Sequence, residues 1–163
     1  MTEQEIISGV LKEFEGLAKH PRPSHHEKEV SDYIVARLAE LGVKARQDEM
    51  YNIIADVPAT PGCENVPLTI LQGHMDMVCV AKPGVAFDPQ KDPIKLVREG
   101  NILRADGTSL GADDGIAVAI SLYLIQQKIQ HGPLRLIFTV DDETNMIGAL
   151  SLSADHVTEA KYV

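Results

Sequence analysis

The stretch GHMDMV, residues 73–78, places a histidine and an acid two positions apart at the end of an apolar run, PLTILQ. In an extended strand, residues i and i+2 point to the same face. His74 and Asp76 would therefore project together where a buried strand reaches the edge of its sheet. Two further stretches end in acids. GADDG brings Asp113 and Asp114 out of a glycine-rich turn, and DDE sets Asp141, Asp142 and Glu143 behind the apolar LRLIFTV. Ligands of open α/β sheets bind outside the carboxyl ends of the strands, so the three groups are expected to converge. Crowded carboxylates repel one another unless cations sit among them. One histidine with several carboxylates and no cysteine suits Zn²⁺, Mn²⁺ or Co²⁺. Each group also has a plainer reading. Asp113 and Asp114 would serve as caps of a helix starting at Ile116, and DDE as an acidic loop at the positive end of another.

The elements that must position these groups follow from periodicity. Ile6, Ile7, Val10, Leu11, Phe14 and Leu17 recur at helical spacing over residues 2–19, and Thr2 with Glu5 forms a capping box. The prolines of HPRPSHH break that helix. Ser24, with Glu27 three residues on, reads as the cap of a second helix that Gly42 ends. The period then changes to two over VKARQDE and MYNIIADVP, which read as strands. LTILQGHMDMV is apolar enough for a central strand covered on both faces. PIKLVREGNILRA reads as a hairpin turning at Glu99, Gly100 and Asn101. The helix IAVAISLYLIQQK, the strand HGPLRLIFTV, a short helix in NMIGALSLSAD and the start of one more strand at AKYV complete the chain. Two helices followed by alternating strands and helices imply an α/β layered domain, a central mixed β-sheet flanked by helices, with no linker to divide it.

Composition narrows the function. The 163 residues carry a net charge of −9, which argues against nucleic acid as a partner, because phosphates require a basic face. The start, MTEQEIISGV, lacks the pattern of a signal peptide, and no apolar run approaches the ~20 residues of a membrane span. Cys63 and Cys79 form neither a disulfide framework nor a zinc motif. A cytoplasmic protein with no membrane partner is the expectation.

GHMDMV, GTSLGADDGIA and TVDDETNMIGA stand in the order and spacing of metallopeptidases of the M20 clan. HPRPSHHEKEVSDYIV, MYNIIADVPAT and HGPLRLIFTV make the chain resemble its aminoacyl-histidine dipeptidase (Xaa-His dipeptidase, peptidase D) branch. The resemblance runs over essentially the whole chain. It implies a zinc-exopeptidase-like fold and metal-dependent hydrolysis of small peptides at a two-metal site, Zn²⁺ by family with Mn²⁺ or Co²⁺ as alternatives. By the same resemblance His74 ligates one metal, Asp113 bridges two and Glu143 ligates the second. Asp76 fixes the imidazole, and Asp142 occupies the place of the general base.

The chain departs from the family pattern. Asp142 stands where the family has Glu, and a reach shortened by about 1 Å can cost about a hundredfold in rate. Asn145 replaces a usual glycine. Family members continue past the point matching Val163, with a further acidic ligand, a distant histidine ligand and a lid or dimerisation domain. Residues 1–163 are therefore expected to be the N-terminal portion of a catalytic domain, poorly active or inactive alone and prone to self-association through an open sheet edge. His20, His25, His26, His131 and His156 read as ordinary surface residues without an acidic partner set. A non-catalytic remnant that binds metal weakly, or another deacylase or aminopeptidase activity of the clan, are the alternatives.

Overall fold

The computed structural model describes residues 1–127 and 129–163, so the expected end of the third helix at Lys128 lies outside the described residues. α1 spans Glu3–Leu17 and α2 spans Lys28–Glu40. The first cap forms as expected: Glu5 N–H donates to Thr2 Oγ1 at 3.3 Å, and Thr2 N–H donates back to Glu5 Oε2 at 2.7 Å. The second does not. The cap position of α2 is Glu27, which makes no side-chain capping bond, and Ser24 turns elsewhere.

β1 (Ala45–Gln47), β2 (Ile53–Val57) and β3 (Thr69–His74) follow, then the hairpin β4 (Leu96–Glu99) and β5 (Ile102–Ala105). α3 (Ala112–Gln126), β6 (Leu134–Thr139), α4 (Ile147–Ser151) and a 3₁₀ turn at Ala154–His156 finish the chain. The main sheet has the order β1-β2-β6-β3. β2 runs antiparallel to β1 and β6, and β3 runs parallel to β6, so the sheet is mixed. The hairpin β4–β5 forms a separate two-stranded sheet.

β6 is the covered interior strand. Leu136 and Phe138 join the core with Phe14, Leu17, Ile34, Leu38, Ile53 and Leu122. Ile137 lies between them, on the other face of the strand, and is still only 1% exposed. β3, expected to be equally central, ends the sheet instead. Among the described residues its outer side is met only by Tyr162, whose carbonyl accepts from Ile70 N–H at 2.8 Å. Of the strand expected at AKYV, this isolated bridge is all that forms among the described residues. Gly73 lets β3 lie close to α3, since a Cβ there would fall 2.8 Å from Asp114 Oδ2. The register pairs His74 with Thr139 across the parallel strands. The chain leaving β3 and the chain leaving β6 therefore emerge side by side.

Candidate metal centre

The end of β3 supplies His74, which is 8% exposed, and Asp76, which is fully buried. Asp113 and Asp114 stand at the head of α3, after Gly111 in left-handed backbone. They are joined by a cis peptide and keep non-helical backbone, and the Asp114 carboxylate faces the Ala117 N–H, as a cap of the helix would. The turn after β6 supplies Asp141, Asp142 and Glu143. One donor atom from each of His74, Asp113 and Glu143 lies within 4.8 Å of the other two. His74 Nε2 is 3.1 Å from Asp113 Oδ1 and 3.9 Å from Asp142 Oδ2. All five residues to which the family resemblance gives a role thus come to one place, with Asp142 at the margin of the three-residue cluster.

Asp76 ties the place together. Its Oδ1 lies 3.3 Å from His74 Nδ1 and accepts the Asp142 N–H at 3.0 Å. Its Oδ2 accepts the Glu143 N–H at 3.1 Å and the Ser24 hydroxyl at 2.7 Å. Burial alone would raise its pKa. His74, Ser24 and the two backbone N–H groups outweigh that and hold it down at about 2. Burial likewise pushes His74 down, but Asp76, Asp142 and Asp113 together lift it to about 9. Such a field attracts a proton, and it would equally attract a metal cation. Asp114 accepts the His74 N–H at 3.3 Å, and burial raises its carboxyl above the usual range.

Residues outside the three acidic motifs hold the frame. Arg22 is 2% exposed and donates to the carbonyls of Met75, at 2.9 Å, and Gly111, at 2.5 Å. Desolvation lowers its pKa to about 10, against the pull of Cys79, Asp76 and Asp114. Glu27 accepts the Asp141 N–H at 2.9 Å. Asn52, fully buried, accepts the Val140 N–H at 3.1 Å and donates to Gly148 O at 3.1 Å. The only hint of these roles in the sequence is polar residues beside prolines and strand starts. Two histidines expected to lack acidic partners have one each: His20 Nδ1 lies 3.0 Å from Glu29, and His25 Nδ1 lies 3.2 Å from Asp141. The left-handed backbone of the acidic turn falls on Asp141 and Met146, not on Asn145.

A mixed α/β sheet with a histidine and carboxylates gathered at adjoining strand ends has the form of a metallopeptidase catalytic layer. The likeness of the chain is to metallopeptidases of the M20 clan, and within it to the aminoacyl-histidine dipeptidase branch. It is 38% identical over 143 residues to the cytosol non-specific dipeptidase of Escherichia coli, covering 87% of this chain and 30% of that one. It superposes on the crystal structure of aminoacylhistidine dipeptidase from Vibrio alginolyticus with a TM-score of 0.88 and 36% identity, over 93% of this chain and 31% of that one. For the aminopeptidase PepT from Bacillus cereus the TM-score is 0.75 and the identity 27%, over 95% of this chain and 42% of that one. The chain thus spans about 30% of the length of the dipeptidases it matches. No protein-family model matches it. Among the described residues, no helix is long and apolar enough to cross a membrane.

Proposed function

We propose that the chain carries part of the catalytic layer of a cytoplasmic M20-type dipeptidase, acting on small peptides of the Xaa-His kind at a two-metal site. The observation that supports this most is the convergence of His74, Asp113 and Glu143 donor atoms within 4.8 Å at the carboxyl ends of two neighbouring strands. An imidazole with two carboxylates suits Zn²⁺, and also Mn²⁺ or Co²⁺. His74 and Glu143 would each hold one metal and Asp113 would lie between them. When bound, the metals would lower the pKa of water and polarise the scissile carbonyl.

The chain's own residues have separable tasks. Asp76 keeps the proton of His74 on Nδ1, leaving Nε2 free to donate its lone pair. Asp142, whose carboxylate points at the same space as His74 Nε2, would take the proton from the attacking water. Its side chain is one methylene shorter than the family's Glu, so weak turnover is expected of it. In this reading the chain is the N-terminal portion of a longer catalytic domain. The outer side of β3 is then the flank through which self-association would occur.

Calorimetric titration of the parent chain and of His74→Ala with Zn²⁺, Mn²⁺ and Co²⁺ tests the site. Binding by the parent and none by the variant is expected, and equal heats would overturn the assignment. Hydrolysis of β-Ala-His and Gly-His, with and without chelator and beside Asp142→Glu, tests the reaction. Low turnover by the parent is expected. Substantial chelator-sensitive turnover would show that the shortened base is no handicap. Full recovery in Asp142→Glu would make it the sole defect.

A further inference from the structure

We propose that Arg22 is a positioning residue of the cation site: seated in the space left by Gly111 and Gly115, its guanidinium sets the spacing between the segment carrying His74 and the segment carrying Asp113. The inference rests on the cation-site reading above and adds to it a residue outside the three motifs.

A guanidinium buried to 2% exposure ordinarily faces a carboxylate. Arg22 instead gives its two outer nitrogens to main-chain carbonyls on different segments. Nη1 donates to Met75 O at 2.9 Å, one residue after His74, and Nη2 donates to Gly111 O at 2.5 Å, two residues before Asp113. The backbone of Arg22 is fixed in turn, because its carbonyl accepts the Met77 N–H at 3.0 Å and Pro23 bridges to Met77. The end of β3 is therefore laced to residues 22–23 in both directions, and the turn before α3 hangs from the same side chain. Nε has no hydrogen-bond partner among the described residues. The side chain works through its outer fork alone, as a bracket of fixed width.

The last two glycines of GTSLGADDG acquire a reason from this seat. A Cβ on Gly111 would fall 2.5 Å from Arg22 Nη2 and would also strike Met77 Sδ. A Cβ on Gly115 would fall 2.6 Å from the same nitrogen. Both are closer than real Cβ contacts, so a side chain at either position would displace the guanidinium. Lysine keeps the charge but is a single point on a flexible stem and lacks the rigid fork that spans two carbonyls. Replacing Arg22 by Lys thus preserves the counter-charge for Asp76 and Asp114 while freeing the distance between the two ligand-bearing segments.

Co²⁺ alone is the probe, titrated into the full chain and followed by visible absorption, with circular dichroism of each protein in parallel. The proteins are the parent, Arg22→Lys and His74→Ala. Arg22→Lys is expected to stay folded and to bind Co²⁺ roughly tenfold to a hundredfold more weakly than the parent, the usual effect of losing a residue behind the ligands. Its absorption bands at saturation should also be shifted, which a uniform loss of stability would not produce. Failure of the parent to bind Co²⁺, or equal binding by His74→Ala, would overturn the cation-site reading and this inference with it. Binding by the parent, loss in His74→Ala and an unchanged affinity and spectrum in Arg22→Lys would overturn the Arg22 inference alone. An unfolded Arg22→Lys would overturn it too, since Arg22 would then serve the core and not the geometry of the site.

Discussion

Asp76→Asn removes one charge and changes no volume. Asp76 accepts from Ser24, from the N–H groups of Asp142 and Glu143, and faces His74 Nδ1. An amide offers one acceptor oxygen and one donor NH₂ in their place. If the oxygen takes the Oδ1 position, Asp142 N–H and His74 keep their partner. Ser24 can rotate its hydroxyl to accept, but the Glu143 N–H then meets a second donor. If the oxygen takes the Oδ2 position, the NH₂ faces the Asp142 N–H and His74 Nδ1, which keeps only the Asp76 main-chain carbonyl, at 3.1 Å, as its acceptor. The first arrangement costs less. It leaves one buried N–H unpaired and weakens the bonds that drew on the charge, about 3 kcal/mol in all. For a chain of this size that is a fall in melting temperature of about 10 °C.

The same substitution loosens the histidine, so cation affinity should fall roughly tenfold to a hundredfold. Differential scanning calorimetry with chelator present isolates the first effect, and calorimetric Zn²⁺ titration of the folded variant measures the second. A melting temperature within about 2 °C of the parent, together with unchanged Zn²⁺ affinity, would refute the view that Asp76 holds the ligands together.

Gly148→Ala places a Cβ 2.6 Å from both Val140 N and Asn52 Oδ1, and against Val140 O as well. Backbone at the end of β6 cannot yield easily, so urea unfolding should show a loss of about 3 kcal/mol or more. Glu27 is 4% exposed, and burial raises its carboxyl above the ordinary range. A carboxyl raised in the folded state stabilises the protein below its unfolded pKa and loses that contribution as pH rises through the folded value. Glu27→Gln keeps an oxygen for the Asp141 N–H. It should therefore be more stable than the parent at pH 7, with the difference closing towards pH 4. Urea midpoints across that range measure this, and a constant difference would count against it.

The strand-end acids were legible in the sequence because three motifs each join an apolar run or a glycine turn to a carboxylate. The α/β layering was legible because hydrophobic period changes from helix to strand after Gly42. What escaped was the order of the sheet and the supports of the site. β3 reads like an interior strand because its run is apolar and α3 packs against it, yet among the described residues it pairs laterally with β6 and Tyr162 alone. Burial of faces shows in hydrophobicity, while lateral pairing involves backbone groups that every residue possesses. Ser24 has the pattern of a helix cap, and nothing local reveals that a carboxylate 52 residues away takes its hydroxyl instead. Arg22 and Glu27 are charged residues, and in the sequence Glu27 has only the pattern of a partner to a Ser24 cap. Only the register of β3 against β6 brings their buried partners to them.

That register also decides what Asp142 can do. The turn that presents it is held at consecutive residues: Asp141 N–H by Glu27, and Asp142 and Glu143 N–H by Asp76. Thr144 donates its hydroxyl to Asp141 Oδ1, and the Met146 N–H returns to Asp141 O at 2.7 Å. With its main chain tied on both sides, the turn cannot advance to make up the length that Asp lacks relative to Glu. The side chain points the right way, with Oδ2 3.9 Å from His74 Nε2, but only a longer side chain extends it. Under the proposed roles, the rigidity that holds His74 and Glu143 would therefore fix Asp142 at its short reach. The same Asp76 that faces His74 Nδ1 pins Asp142, so loosening the turn to lengthen the reach would release His74 as well.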